Sequence, residues 1–598
     1  MPARIRRFRL LALAGPLLAL VPLLSGVPAV AADPVSGTAS LAVSKAQVTY
    51  GGHIGLTGSV ASDPSCQGGR EVDLQGREPG DPSWTVLAVH TTASDGTFGF
   101  YRQPEHTSSY RVRLPAHITG QASCATVASA SVRSAVRARV RLTLSPNPVD
   151  AGACATIKVQ VAPSEAGTNV TLERKGPSGW QTMATETLDS SSRASITRCY
   201  HWAQIGQEAL RALWPRQDLL NTAGAETATL GVVRAKWMHT IDRLAGGRNI
   251  AVAVAGGGRY LYERADGVPH APASNEKLLQ SMALLNAVGS QYRIRTRVAS
   301  ASVSGGVVRR NLWILGRGDP SVGRKAIAAL ASGVAAAGIH RVRRVMGSTN
   351  FFSHDWWAHG WKSFFPSDEV GLPTALTYRD NLVRGVNVRD PERRAAIALT
   401  KALRRRGVAV SRKPGEGTPA PHLHAIARIK SAPLENLLAA QNFQSVNFYA
   451  EVLGKLLGEI RSGRPGTIAK GAAAIRAFAA AHGVSVAAHD SSGLSYANRV
   501  TTAGMVRLLG VAEQAPWGTA LTSTLPWPGH GTLEGRLFGV PMRAKTGTLV
   551  NVSALSGWLK LTRTGQWARF SILSSGFAAW KAKDIEDAIV RTLWRYGR

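Results

Sequence analysis

The chain has 598 residues, 44% of them apolar, with 71 Lys and Arg against 37 Asp and Glu. That length exceeds what one hydrophobic core supports, and the apolar fraction excludes wholesale disorder. The formal charge of +34 implies loose affinity for polyanions, whether nucleic acid, anionic lipid or acidic wall polymers. No zinc-type spacing or RNA-binding signature points to a specific nucleic acid.

In chain order, Arg4, Arg6, Arg7 and Arg9 precede "LLALAGPLLALVPLL" (10–24) and the small-residue stretch "VPAVAAD" (27–33). Residues 1–32 are expected to be a secretory signal peptide, too short and proline-broken for a spanning helix. No later stretch reads as transmembrane, so the expected location is outside the cytoplasmic membrane, extracellular or in a cell-wall or periplasmic compartment. Cys66, Cys124, Cys154 and Cys199 all fall in the first 200 residues. An even count in an exported chain suggests disulfides, and four cysteines allow three connectivities. Cys66–Cys124 and Cys154–Cys199 is the pairing expected if each pair belongs to its own domain.

Residues 36–233 read as short alternating runs such as "HIGLTGSV" and "YRVRL" between Gly, Pro, Ser and Asp, the pattern of antiparallel sandwiches. "REVDLQGREPGDPSWTVLA" (70–88) answers "TNVTLERKGPSGWQTMA" (168–184), with Val72, Leu74 and Trp84 matching Val170, Leu172 and Trp180. The offset is one immunoglobulin-sized domain, so two all-β sandwiches resembling bacterial immunoglobulin-like repeats are expected at 36–135 and 136–233. Their tryptophans are expected in the cores. From 235 onward Ala-rich amphipathic stretches such as "ERRAAIALTKALRRRG" alternate with strands at "NIAVAVAGG" (249–257), "RNLWILG" (310–316) and "VSALSGWLKL". Helices packed on one mostly antiparallel sheet, an α+β domain, are expected there.

"PASNEKLLQ" (272–280) places Ser274 and Lys277 three apart at a helix start, where hydroxyl and amine can meet. A desolvated lysine loses proton affinity and can serve as a base. Alone, S-x-x-K more often marks an N-cap serine and a solvated first-turn lysine. "QSVNFYAEVLG" (444–454) adds Ser445 and Asn447, and "RAKTGTLVNVSALSGW" (543–558) adds Lys545, Thr546, Gly547 and Thr548. The ordered set S-x-x-K, S-x-N, K-T-G marks penicillin-binding proteins and serine β-lactamases.

With "LWILGRGDPSV" (312–322) and "DSSGLSYANRVT" (490–501), residues 240–598 resemble the D-alanyl-D-alanine carboxypeptidase/endopeptidase family, the low-molecular-mass class C penicillin-binding proteins of peptidase family S13. The resemblance implies a transpeptidase-like acyl-serine fold over 235–297 and 431–598, interrupted by an inserted subdomain at 298–430. It implies a serine-type carboxypeptidase acting on peptidoglycan stem peptides, acylated by β-lactams, with no cofactor or metal. Ser274 would be the nucleophile, Lys277 its base and Ser445 a proton relay, with Lys545 close by keeping the field positive. Asn447 would orient Lys277 and the substrate amide. Thr546, Gly547 and Thr548 would line the substrate, the N–H groups of Ser274 and Thr548 forming the oxyanion hole.

Two positions depart from the family: Tyr496 stands where arginine is common, with Arg499 out of register, and only Asp368 and Glu369 are candidates for an acid in 360–381. A β-lactamase or D-amino-acid esterase on the same residues, and a silent wall-binding protein, are the alternatives at this point. Asp319 and Asp490 are expected to make turn hydrogen bonds.

Overall fold

The structure is a computed structural model describing residues 33–120, 122–216 and 220–598. The expected signal peptide lies outside the described residues. No helix among them is long and apolar enough to cross a membrane. The chain divides into two compact units. One comprises the residues up to Thr143 with Lys158–Ile196 and Ala209–Ala228, the other Leu144–Ile157, Thr197–Glu208 and Thr229–Arg598.

In the first unit, a six-stranded and a four-stranded sheet share one core. Alternation drives it: Ile54, Leu56, Val72, Leu74, Val112 and Leu114 point inward and are fully buried. The internal repeat extends to the backbone. The strand Glu71–Arg77 bulges between Leu74 and Gln75, and Asn169–Gly176 bulges at the matching place, between Leu172 and Glu173. Val170 and Leu172 are buried like their counterparts. The tryptophans differ from expectation. Trp84 lies half-exposed under the Arg77 and Arg111 guanidinium groups, and Trp180 under Arg211. Outside the bulge the side chain flips to the solvent face, where an arginine covers the ring. The fully buried tryptophan is Trp214, whose indole N–H bonds Thr168. Cys66 is bonded to Cys124 and Cys154 to Cys199.

In the second unit, α1 (Lys236–Ala245) leads into β1 (Ile250–Gly256) and β2 (Arg259–Arg264), and α2 (Glu276–Val288) follows. A separate layer then forms from β3 (Arg295–Ser300), β4 (Val307–Leu315), α3 (Arg324–Ala336), β5 (Arg341–Ser348), α4 (Pro391–Arg404) and β6 (His424–Lys430). Helices α5 (Leu434–Phe443), α6 (Asn447–Ser462), α7 (Ile468–Ala481), α8 (Thr502–Gln514) and α9 (Gly518–Ser523) come next. The hairpin strands β7 (Met542–Leu549) and β8 (Val552–Lys560), then β9 (Trp567–Ser575) and α10 (Ala579–Tyr596), close the chain.

From residue 235 onward the described residues form two large sheets where one was expected, besides a small hairpin pairing Leu382–Val383 with Val386–Asn387. The first, in the order β2-β1-β9-β8-β7, is antiparallel throughout. The second contains β3, β4, β5 and β6, with β4 and β5 parallel. "RNLWILG" belongs to this second sheet, because α3 supplies the crossover that a parallel pair requires. All seven residues of β1 are buried, as expected for a strand covered on both faces. Helix α2 is buried from Glu276 through Leu285, and Leu278, Leu279, Met282 and Leu285 pack with α5, α6, α7 and α8 in one core. Helices α6 and α7 approach closely through glycines: a Cβ on Gly471 would sit 2.4 Å from the Gly454 carbonyl oxygen.

Candidate active site

Three segments from far apart in the chain meet at the start of α2. A short 3-10 turn, Ala273–Asn275, precedes the helix and sets Ser274 at its edge. Asn275 anchors the turn to the first sheet, its amide donating to Ser556 Oγ at 2.8 Å. Strand β7 runs alongside so closely that a Cβ on Gly547 would meet Ser274 N at 3.0 Å and the Pro272 oxygen at 2.8 Å. Gly547 is thus required for contact between β7 and the Ser274 peptide. On the other side Gly493 (φ +84°) brings its loop against the Ala273 carbonyl. Ala273 (φ 45°) and Ser445 (φ 59°) both hold left-handed backbone conformations, strain of the kind that persists where surrounding structure fixes it.

Lys277, fully buried, makes three contacts: Nζ lies 3.0 Å from Ser274 Oγ, 2.7 Å from Asn447 Oδ1 and 2.6 Å from the Ser492 carbonyl oxygen. The Asn447 amide orientation follows from its Nδ2 donating to the Glu369 carbonyl at 3.0 Å. Two of the three partners can therefore only accept. A neutral amine would satisfy both with its N–H bonds and aim its lone pair at the Ser274 hydroxyl. Burial pushes Lys277 down to about 8, while Asp490, Glu451, Glu276 and Glu369 pull the other way.

Lys545 on β7 is equally buried. Its Nζ donates to Ser445 Oγ and to the Thr546 carbonyl, both at 2.9 Å. Burial first, and then the charge on Lys277, holds it well below the ordinary lysine range. Desolvation is the leading cause of the depression at both amines, and the neighbouring lysine adds to it at Lys545. Thr546 donates to Thr532 Oγ1 at 2.7 Å, and Thr548 is exposed at the strand's outer end.

The five motif side chains thus form two amine–hydroxyl pairs, with Asn447 on the first. Sequence reasoning missed what holds the Ser492 carbonyl. Glu451 Oε1 accepts from the Ser491 and Ser492 N–H groups at 3.0 and 2.7 Å. Glu451 is itself pushed up to about 7 by burial and by Asp490. Asp490 does more than bond a turn: its carboxylate accepts from Trp361 Nε1, Gly493 N, Ser495 N and Asn498 Nδ2. The available signal was spacing, since Glu451 lies four residues after Asn447 and so shares its helix face.

The departing positions lie beside the site. Tyr496 accepts a hydrogen bond from Val550 N at 3.1 Å, and Lys362 Nζ sits 5.3 Å over its ring. Arg499 spends its guanidinium on the Tyr496 and Asn498 carbonyls. Asp368 and Glu369 lie in the turn Pro366–Val370, where the Glu369 carbonyl, as noted, holds Asn447.

This arrangement can generate an alkoxide nucleophile at Ser274 and donate a proton through Ser445. Among curated proteins, the chain is 30% identical over 431 residues to a D-alanyl-D-alanine carboxypeptidase of Actinomadura sp., covering 57% of this chain and 79% of that one. It is 29% identical over 416 residues to a carboxypeptidase of Mycobacterium tuberculosis, covering 63% and 85%. Among solved structures, penicillin binding protein 4 of Haemophilus influenzae superposes with a TM-score of 0.54 at 19% identity, covering 60% of this chain and 99% of that one. The two share a fold. The model of the D-Ala-D-Ala carboxypeptidase 3 (S13) family matches residues 238–370 and 371–596, and the chain belongs to that family.

Proposed function

We propose that the chain is a serine-type D-Ala-D-Ala carboxypeptidase of peptidoglycan stem peptides, able also to act as an endopeptidase, and that penicillin acylates it at Ser274. The observation that carries this reading is the Lys277 amine, 3.0 Å from Ser274 Oγ with its other two contacts on carbonyl oxygens. Ser274 attacks the carbonyl carbon of the penultimate D-alanine as its proton moves to Lys277. The oxyanion forms against the N–H groups of Ser274 and Thr548, one such donor contributing about 3–4 kcal/mol. Ser445, bonded to Lys545, passes a proton to the departing amine of the terminal D-alanine, and water then hydrolyses the ester. With Lys277 near 8, roughly a tenth of it is neutral at pH 7, about 300-fold more than for an ordinary lysine.

The remainder of the chain fits an exported wall enzyme. The basic N-terminal segment reads as a signal peptide, and the disulfides suit an oxidising compartment. The repeated bulge and the two sheets around one core support immunoglobulin-like sandwiches at 36–135 and 136–233, as spacers or wall-anchoring modules. The layer from β3 to β6 supports a subdomain inserted at 298–430 between the Ser274 and Ser445 segments.

Intact-mass measurement after benzylpenicillin tests the reading. The native protein should gain one long-lived penicilloyl group and Ser274→Ala none, and a peptide ending in D-Ala-D-Ala should release D-alanine. Fast penicillin turnover would instead identify a β-lactamase, and no added mass a silent scaffold.

A further inference from the structure

The second sheet of the catalytic unit carries a row of cations on the face turned away from its core. Along β3, Thr296 and Val298 point inward while Arg295 and Arg297 point out. Along β6, Ala427 is buried while Arg428 and Lys430 are exposed. The register pairs like with like: Arg295 sits directly opposite Lys430, and Arg297 opposite Arg428. Like charges facing each other across a ladder are destabilising. Two rungs in other ladders pair opposite charges instead. Asp73 is the registered partner of Arg113, and Glu173 that of Arg211, and each pair forms a salt bridge.

A cavity of about 510 Å³ lies over the rungs, lined by these four cations with Arg293 and Arg317 and by no carboxylate. A second cavity of about 430 Å³ continues it, sharing Arg297 and Arg317 and ending at Arg464. Two acids sit at its margins: Glu459 pairs with Arg464 at the far end at 3.5 Å, and Glu435 accepts from the Gln291 amide at 3.0 Å. Arg317 and Arg464 both stack on Phe351, at 5.3 and 4.6 Å, which fixes them over an apolar floor. Half-buried Arg317 is pushed down by desolvation and by Arg297 and Arg464, with Glu459 and Tyr292 pulling the other way.

Guanidinium forks match phosphate oxygens better than ammonium points do. The rungs repeat about every 6.7 Å along the strands, the scale on which charges recur along an extended phosphodiester chain. Over the rungs themselves no open ring offers a stacking platform of the kind single-stranded nucleic acids use: Phe351 is 6% exposed beneath its arginines, half-buried Tyr292 packs on the helical core, and the exposed His422 ring lines only the second cavity. From the paired rungs and the acid-free trough, we infer that β3 and β6 form a binding site for an extended polyol-phosphate polymer, whose phosphodiesters are gripped by Arg295, Arg297, Arg428 and Lys430. The site is separate from the acylation residues, so it stands or falls independently of the acyl-transfer reading.

The test uses the full chain and a lipid-free poly(glycerol phosphate) oligomer of defined length. Four phosphate contacts at single-strand charge density give a salt slope of about −2.8, hence a roughly 50-fold affinity loss between about 50 and 200 mM salt. Arg295→Glu/Arg297→Glu sets a carboxylate opposite Lys430 and another opposite Arg428, converting both rungs to ion pairs. This variant should melt no lower than the native protein and still be acylated by penicillin. It should bind at least tenfold more weakly, with its salt-dependent loss reduced to about sevenfold or less. Arg405→Glu/Arg563→Glu, the same charge change at exposed positions elsewhere in the unit, should leave binding within about twofold. Equal loss in both variants would overturn the site in favour of bulk charge. Equal or tighter binding of poly-uridylate of the same length would overturn it in favour of nucleic acid. A lower melting temperature for Arg295→Glu/Arg297→Glu would show that the arginines serve the fold instead.

Discussion

Gly493→Ala probes whether the geometry around Ser274, and not just its residue types, sets reactivity. At φ +84° an added Cβ would lie 1.8 Å from the Ala273 carbonyl oxygen, 2.4 Å from its carbon and 3.0 Å from Ser274 N. Bringing the first contact out to 3.0 Å requires the two loops to part by about 1.2 Å. Neither side yields freely. Gly493 N is tied to Asp490 Oδ1, and the Ala273–Ser274 peptide is held from behind by β7 at Gly547. The displacement therefore falls on Ser274 and on the adjoining Ser492 carbonyl, two of the three groups that contact Lys277. A misplacement of about 1 Å can cost on the order of 100-fold in rate. The left-handed conformation adds about 1–2 kcal/mol of instability and overpacking about 1–3. Stopped-flow acylation by a fluorescent penicillin, with thermal unfolding of the same samples, separates the effects. Gly247→Ala, at φ +69° with open space around it, should lose only the backbone part of the stability and keep its acylation rate. A folded Gly493→Ala protein acylating at the native rate would refute the reasoning.

The other predictions follow from charge and cross-linking. The neutral amine is the active form of Lys277, so acylation should rise about tenfold per pH unit and level off above about 8. Glu451→Gln removes a carboxylate that favours the ammonium while keeping an acceptor for Ser491 and Ser492, so the midpoint of that profile should move to lower pH; a midpoint that stays put or rises would contradict the assignment. Arg536 bonds buried Glu586 and Asp587 at 2.9 and 2.7 Å, and Arg536→Ala should cost about 3–5 kcal/mol in chemical denaturation by leaving Glu586 unpaired. Replacing Cys66 and Cys124, 58 residues apart, with serine should cost about 4 kcal/mol of sandwich stability by loop-closure entropy, with the penicillin acylation rate unchanged.

What could be read without coordinates was what local chemistry encodes. Ser274 and Lys277 are a helical turn apart, and Gly547 follows Lys545 and Thr546 on an alternating strand, so residue type and spacing identify them. The repeat was legible because Val72 and Val170 meet identical inward-facing demands. Three features were not legible, each for a physical reason. The Ser492 contact to Lys277 is made by a backbone carbonyl, and every residue has one. The outward turn of Trp84 and Trp180 depends on a one-residue bulge, which flips the facing of everything beyond it while leaving the alternation pattern almost intact. The second sheet exists because β4 pairs with β5 in parallel, a long-range choice that the apolar run "LWIL" does not encode.

The two buried lysines clarify why the acids are there. Lys545 lies beside another cation with no carboxylate favouring its charge, and burial holds it well below the lysine range. Lys277 is just as buried, yet Asp490, Glu451, Glu276 and Glu369 oppose its desolvation and leave it near 8. A general base works best with a pKa close to the operating pH: lower, and it would take a hydroxyl proton poorly; higher, and it would seldom be neutral. On that argument the buried carboxylates set Lys277 between those failures, while the absence of any beside Lys545 keeps two ammonium groups from occupying one pocket. The difference between the amines thus comes less from their own burial than from the α6 residue Glu451 and the loop acid Asp490, which also hold the Ser492 carbonyl in place. Charge balance and geometry at the nucleophile are therefore properties of the same few side chains.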